Sequence, residues 1–176
     1  MKTLIMCEGP NELAVIKILI KNNLFKYSED DLIGLTPFHA RQLNSPQVII
    51  ELNMYLGEFE IILIGDTQKD AFKIPGEYKD RIVSIEKYCT KPELEMLLII
   101  SENLTKEYEK VKTKVSPKDF AKSNVIYNRK KYKNDTDFYY LYYGDRPEFL
   151  CEAIHEYKRI KKHKKDEGYL ADLLVE

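Results

Sequence analysis

Cysteine is scarce in this chain. Only Cys7, Cys89 and Cys151 occur, far apart and never in C-x-x-C spacing. That pattern excludes a zinc ribbon or a disulfide framework and makes a reduced, cytoplasmic setting the expectation. Cys7 and Cys89 fall at the ends of predicted strands, where a small buried hydrophobe is the expected role. Long apolar runs are missing too. None approaches the roughly 20 residues needed to span a bilayer, and the run after Lys2 is too short for a signal peptide, so a soluble chain with no membrane partner is expected. The histidines His39, His155 and His163 do not cluster, and no serine–histidine–aspartate arrangement is suggested. Net charge is almost absent, formally -1 from 28 basic and 29 acidic residues, which excludes a bulk polycation. Acids concentrate in the first two-thirds, however, and lysines crowd the last third, so a local basic patch for nucleic acid stays open. No internal repeat or low-complexity linker is present.

What is present is enough apolar material, 44% of 176 residues, to bury a core in one domain. The stretch Leu4-Ile5-Met6-Cys7-Glu8-Gly9-Pro10-Asn11-Glu12 organises the reading. Its apolar run predicts a buried strand, and Leu13, Ile16, Leu19, Ile20 and Leu24 follow at helical spacing. Gly9 permits a sharp strand-to-helix turn, and Pro10 suits the first helical position. Residues 32–38 read as a short strand. Ser45-Pro46 starts a helix that Gly57 ends. Glu60-Ile61-Ile62-Leu63-Ile64 is the clearest buried strand and runs into Gly65-Asp66-Thr67-Gln68-Lys69-Asp70. Residues 81–88 alternate as a further strand with Val83 and Ile85 on one face, and Pro92 opens a helix through Glu93 and Glu95, with Thr90 near enough to cap it. The expected fold class is α/β, a mostly parallel sheet flanked by helices. Residues 1–102 form the core, and residues 103–176 a mainly helical, lysine- and tyrosine-rich extension packed on it.

Three acidic groups stand at strand-to-loop boundaries: Glu8 with Glu12, Asp66 with Asp70, and Glu93 with Glu95. In a parallel sheet the strand ends point the same way, so these groups can converge. Carboxylates gathered on an open rim suit one or two Mg²⁺ or Mn²⁺ ions, and two such ions can clamp a phosphodiester during in-line displacement. Solvated acids beside ordinary turns are the plainer alternative. Glu93 and Glu95 diverge by about 200° on a helix, so only one of them can easily face the site.

The segments Met6-Cys7-Glu8-Gly9-Pro10-Asn11-Glu12 and Ile62-Leu63-Ile64-Gly65-Asp66 together resemble the signature motifs of the Toprim domain. That domain is shared by primases, topoisomerases, RecR-type recombination proteins, small ribosomal-RNA maturation ribonucleases and overcoming-lysogenization-defect nucleases. Glu8-Gly9 matches its glutamate–glycine pair, Glu12 a second acid of the nuclease branches, and Asp66 the first aspartate of Asp-x-Asp; Gln68 stands where the second is expected. Thr90-Lys91-Pro92-Glu93-Leu94-Glu95-Met96-Leu97 is similar to the acidic third motif of the lysogenization-type nucleases. The resemblance covers residues 3–100. It implies a Rossmann-like Toprim fold and a Mg²⁺- or Mn²⁺-dependent nuclease. Glu8 would be the general acid/base or metal-bridging residue, Asp66 the direct ligand, and Glu12, Asp70, Glu93 and Glu95 would share metal binding, with Glu95 inner and Glu93 outer. Phage defence or recombination with a partner chain such as an ATPase is one implied setting, and self-association into a homodimer stays open.

The final third offers basic and aromatic groups. Lys130 and Lys131, with Lys133, are candidates to stabilise charge on a phosphate, and Arg129, Lys130, Lys131 and Lys133 to bind nucleic acid; solvated surface lysines are the plain alternative. The run Phe138-Tyr139-Tyr140-Leu141-Tyr142-Tyr143 can stack bases, or pack as an edge strand on the core. Pro147 begins a last long helix ending in the basic residues 158–165, which can equally be its solvated, dipole-favoured end. Two functions follow: a metal-dependent nuclease on DNA or RNA, or a non-catalytic nucleic-acid-binding or regulatory module acting with a partner protein.

Overall fold

The two most apolar runs form neighbouring strands in the centre of a parallel sheet. In the computed structural model, which describes residues 1–66, 71–90, 93–161 and 168–175, β1 (Lys2–Cys7) pairs along its length with β3 (Phe59–Gly65). Both strands are buried on two faces, which is why their sequences run apolar without alternation. Outside them lie β2 (Phe38–His39), β4 (Ile82–Cys89) and β7 (Gly168–Tyr169), in the order β2-β1-β3-β4-β7 with every ladder parallel.

Alternate residues feed two cores. Ile5, Cys7, Ile62 and Ile64 face a large cluster built with α1 (Pro10–Lys21), α3 (Met96–Ser101), α5 (Pro117–Asn124), α6 (Thr136–Tyr143) and α7 (Pro147–Ile160). Leu4, Met6, Phe59 and Ile61 face a smaller one closed by α2 (Pro46–Met54), Phe38, Leu43 and Tyr78. The architecture is therefore α/β, with helices on both faces. Cys7 and Cys89 are buried at strand ends. Residues on either side of position 102 share the larger cluster, and β7 adds a fifth strand to the sheet from the later part of the chain. The rest of that part comprises α4 (Thr105–Glu109), helices α5 to α7, and a hairpin of β5 (Ile126–Tyr127) and β6 (Lys130–Lys131). No helix among the described residues is long and apolar enough to cross a membrane.

Pro10, Pro46, Pro117 and Pro147 each open a helix, using a position where the absent N–H is not missed. Several sequence expectations need correction. Glu93 and Glu95 precede α3, which starts at Met96 without a cap from Thr90, and α2 ends at Met54, before Gly57. Residues 32–38 are not one strand: Gly34 (φ 70°) and Leu35 (φ 55°) turn the chain through left-handed conformations between a single bridge of Leu32 to Thr3 and the two-residue strand Phe38–His39, both on β1. Val83 and Ile85 do not share a buried face, because the register of β4 against β3 slips beside Phe59, leaving Val83 exposed while Ile82 and Ile85 pack on the smaller core. The aromatic run is a helix rather than an edge strand. Phe138, Tyr139, Tyr142 and Tyr143 stand at i, i+1, i+4 and i+5, and that stripe is buried. Phe138 stacks on Tyr142 at 5.9 Å and Tyr139 on Tyr143 at 6.5 Å, so the run packs as core.

Candidate functional site

Strand order brings the first two acidic turns together. From β1 the chain turns back to β2 on one side, and from β3 it goes on to β4 on the other. The gap between the carboxyl ends of β1 and β3 is therefore the switch point where open α/β sheets leave a crevice. Cys7 is in register with Ile64, and the Glu8 N–H donates to the Ile64 carbonyl at 2.9 Å, so Glu8 leaves the sheet beside Gly65 and Asp66. The Asp66 N–H donates to Glu8 Oε2 at 3.1 Å, and Arg41 Nη2 lies 3.3 Å from Glu8 Oε1.

Two glycines make room for these carboxylates. A Cβ on Gly65 would lie 2.3 Å from Glu8 Oε2 and 2.7 Å from its Cβ, and one on Gly9 would lie 2.3 Å from Glu12 Oε2. Gly9 is extended (φ -126°), a conformation open to any residue, so it serves the packing of Glu12 rather than a left-handed turn. Because only the flexible end of Glu12 is in the way, Gly9→Ala should change the urea midpoint little while displacing that carboxylate.

Glu12 sits in the first turn of α1, with its carboxyl held above the usual range. Burial is the largest cause, its own backbone N–H opposes the shift, and the charges of Asp66, Glu95 and Glu8 add to it. Carboxylates from three segments, Glu8, Asp66 and Glu95, thus bear on Glu12 near the ends of β1 and β3.

The third acidic pair divides. A tight turn precedes α3, with the Met96 N–H donating to the Glu93 carbonyl and the Leu97 N–H to that of Leu94. Glu93 points to α5, where its Oε2 accepts from the Lys118 N–H at 2.9 Å, so it caps that helix. Glu95 is 6% exposed and accepts from Tyr132 Oη at 2.9 Å. Asn134, at φ 63°, lies 3.1 Å from Tyr132 Oη and 3.2 Å from Asn11 Nδ2. With its amide nitrogen toward Glu95 Oε1 (3.2 Å), its oxygen accepts from Lys118 Nζ at 3.1 Å. The Thr136 hydroxyl donates to Asn11 Oδ1, tying the start of α1 to the start of α6. Burial holds the Tyr132 phenol well above its normal range, reinforced by the charge of Glu95, so it stays a donor. Tyr132→Phe should cost about 1.5 kcal/mol in urea unfolding, because a buried carboxylate loses a donor.

Arg129, Lys130, Lys131 and Lys133 lie exposed on and after the hairpin. Tyr132 between them reaches inward to Glu95, but none of the four forms an ion pair or hydrogen bond with the rim carboxylates. Among the described residues, Arg41 lies beside Glu8 and the Lys118 ammonium reaches the Asn134 oxygen, and sequence reasoning missed both. Arg41 follows a paired segment of two residues, too short to reveal a strand end, and Lys118 comes from a helix far along the chain. Asp70 and Gln68 lie outside the described residues, as do Pro92, Lys162, His163, Lys164 and Lys165.

An all-oxygen donor set with surplus negative charge suits a hard divalent cation. Among the described residues, no group of three or more His, Cys, Asp or Glu side chains forms a ready-made metal site. Fold and rim together define a parallel α/β protein with an acid-lined switch point. No protein-family model, no curated protein and no solved structure matches the chain.

Proposed function

We propose that this protein is a Mg²⁺- or Mn²⁺-dependent nuclease of the Toprim kind, with the Rossmann-like Toprim fold, hydrolysing phosphodiester bonds of DNA or RNA. The observation that carries the proposal is the gathering of Glu8, Glu12, Asp66 and Glu95 where β1 and β3 end. Glu8 and Asp66, with Glu12 and Glu95, would hold the ion, and Asp70 would substitute for the second motif aspartate, whose place Gln68 takes. A bound divalent ion would polarise the phosphoryl oxygen and acidify a bound water. Glu8, which accepts from the Asp66 N–H, would act as the general acid/base or metal-bridging residue. Arg41 offers a guanidinium to the phosphate. Tyr132 and Asn134 fix Glu95 from behind. Arg129, Lys130, Lys131 and Lys133 supply an exposed basic strip along which a phosphate backbone can lie. A cytoplasmic setting in phage defence or recombination, with an ATPase-like partner or a second copy, is part of the same reading.

Plasmid DNA and structured RNA incubated with Mg²⁺ or Mn²⁺ should be cut, and a chelator should stop the cutting. A second reading, a binding or regulatory module without turnover, is favoured by Glu8 having one oxygen on the Asp66 N–H and the other beside Arg41. Nucleic acid bound with no calorimetric signal for Mn²⁺ and no cleavage would establish that reading and reject the nuclease.

A further inference from the structure

Beside Glu8, on the face of the sheet opposite α1, lies a cleft of about 210 Å³. Its floor is a row of neighbours in strand register, Met6, Leu63 and Lys87. One wall is Ala40 and Arg41 after β2, and the other is Phe72. Gln42 fixes Phe72 from both sides: its Nε2 donates to the Ala71 carbonyl at 3.0 Å, and its Oε1 accepts from the Lys73 N–H at 3.0 Å. The backbone that carries Phe72 is thus pinned beside a mostly apolar floor, with the guanidinium of Arg41 and the Glu8 carboxylate also lining the cleft.

The dimensions restrict the occupant. Pockets for whole small-molecule ligands run to about 300–1,000 Å³, so this cleft suits one planar ring system rather than an entire nucleotide. Its mostly apolar lining favours a flat group able to stack on Phe72, with the Met6 thioether beneath. Arg41 is two-thirds exposed and uses one nitrogen toward Glu8, leaving further N–H groups of its fork for an anion. A ring in the cleft carrying a phosphate at its mouth would set that phosphate beside the carboxylate rim.

We infer that the cleft takes one unstacked nucleobase of a single-stranded substrate, whose adjoining phosphate lies on Arg41. The identity of the ring as a nucleobase rests on the nuclease reading. A base in a duplex cannot enter without leaving its stack, and unstacking and unpairing cost free energy that a single strand does not have to supply. The site therefore selects single-stranded or locally unpaired nucleic acid.

The probe is a short single-stranded oligonucleotide carrying 2-aminopurine, added to the full chain in Ca²⁺ so that a hard cation neutralises the rim. Binding should change the fluorescence of the probe. The corresponding duplex should bind at least about tenfold more weakly. Phe72→Leu, which keeps apolar volume but removes the ring, should weaken binding on the order of ten- to a hundredfold, and Phe72→Tyr should restore it. Equal affinity for duplex and single strand, or unaltered binding by Phe72→Leu, overturns the inference. The nuclease reading is scored separately, by cutting of the same oligonucleotide in Mn²⁺. Cutting without the Phe72 and duplex effects removes the base cleft but keeps the nuclease. Those effects without cutting keep the cleft and remove the nuclease.

Discussion

Glu8→Gln and Asp66→Asn are each expected to lower Mn²⁺-dependent cleavage by about a hundredfold or more, with the fold intact. Both changes are isosteric. In Glu8→Gln the amide oxygen still accepts from the Asp66 N–H, so the junction of β1 and β3 keeps its hydrogen bond while the charge is lost. The ion pair with Arg41 disappears, but that arginine is largely solvated, and such pairs contribute about 1 kcal/mol or less. Initial rates at saturating Mn²⁺ and thermal melting on the same samples separate the two effects. Glu93→Gln is the contrasting control. It weakens the cap on α5 but touches no rim carboxylate, so cleavage should stay near wild type. Full activity in both Glu8→Gln and Asp66→Asn would remove the proposed catalytic role from this rim.

Glu12→Gln is expected to stabilise the metal-free protein at neutral pH and to abolish most of its stabilisation by metal. The Glu12 carboxyl is raised in the fold, chiefly by burial and then by Asp66, Glu95 and Glu8. An unfolded glutamate titrates at about 4.3. The native state therefore holds this proton more tightly than the unfolded state. Its contribution to stability is fully present below about pH 4.3 and is lost as pH rises through the raised native value. A glutamine has no such loss. Urea midpoints of wild type and variant should converge at low pH and separate toward pH 7, with the variant higher. Mn²⁺ at a hundred times its Kd should add about 2.7 kcal/mol to wild type and far less to the variant. A variant no more stable than wild type at pH 7 would show that keeping the Glu12 carboxyl ionised in the fold, against burial and the neighbouring charges, is not destabilising.

The part of the site legible in the sequence is the part that strand direction determines. Glu8 and Asp66 each follow an apolar run, and parallel neighbours in register deliver both to one edge. The motif reading puts Glu95 inside and Glu93 outside, but the physical reason, a tight turn before α3 that sends Glu93 to α5 and Glu95 to Tyr132, is not written in the sequence. Arg41 was hidden because β2 is only two residues long, and β2 is short because Gly34 and Leu35 break the run before it. The tyrosine-rich helix was misread for another reason. Its residues favour strands intrinsically, and only the spacing of 138, 139, 142 and 143 reveals a buried helical stripe. Tertiary packing overrode propensity there. Gly9 was visible as a special position, but its role in leaving space for Glu12 depends on a side chain three residues away.

The fifth strand bears on biosynthesis. β4 is complete at Cys89, yet its outer neighbour is Gly168–Tyr169. Ribosomes add about 5–20 residues each second, so the Tyr88–Cys89 end of that flank waits on the order of ten seconds for its partner. Throughout that interval its unpaired backbone is open to other chains. Glu86 and Lys87, next to that end in the same strand, put charge on the waiting edge, and charge at such a place disfavours pairing with other chains.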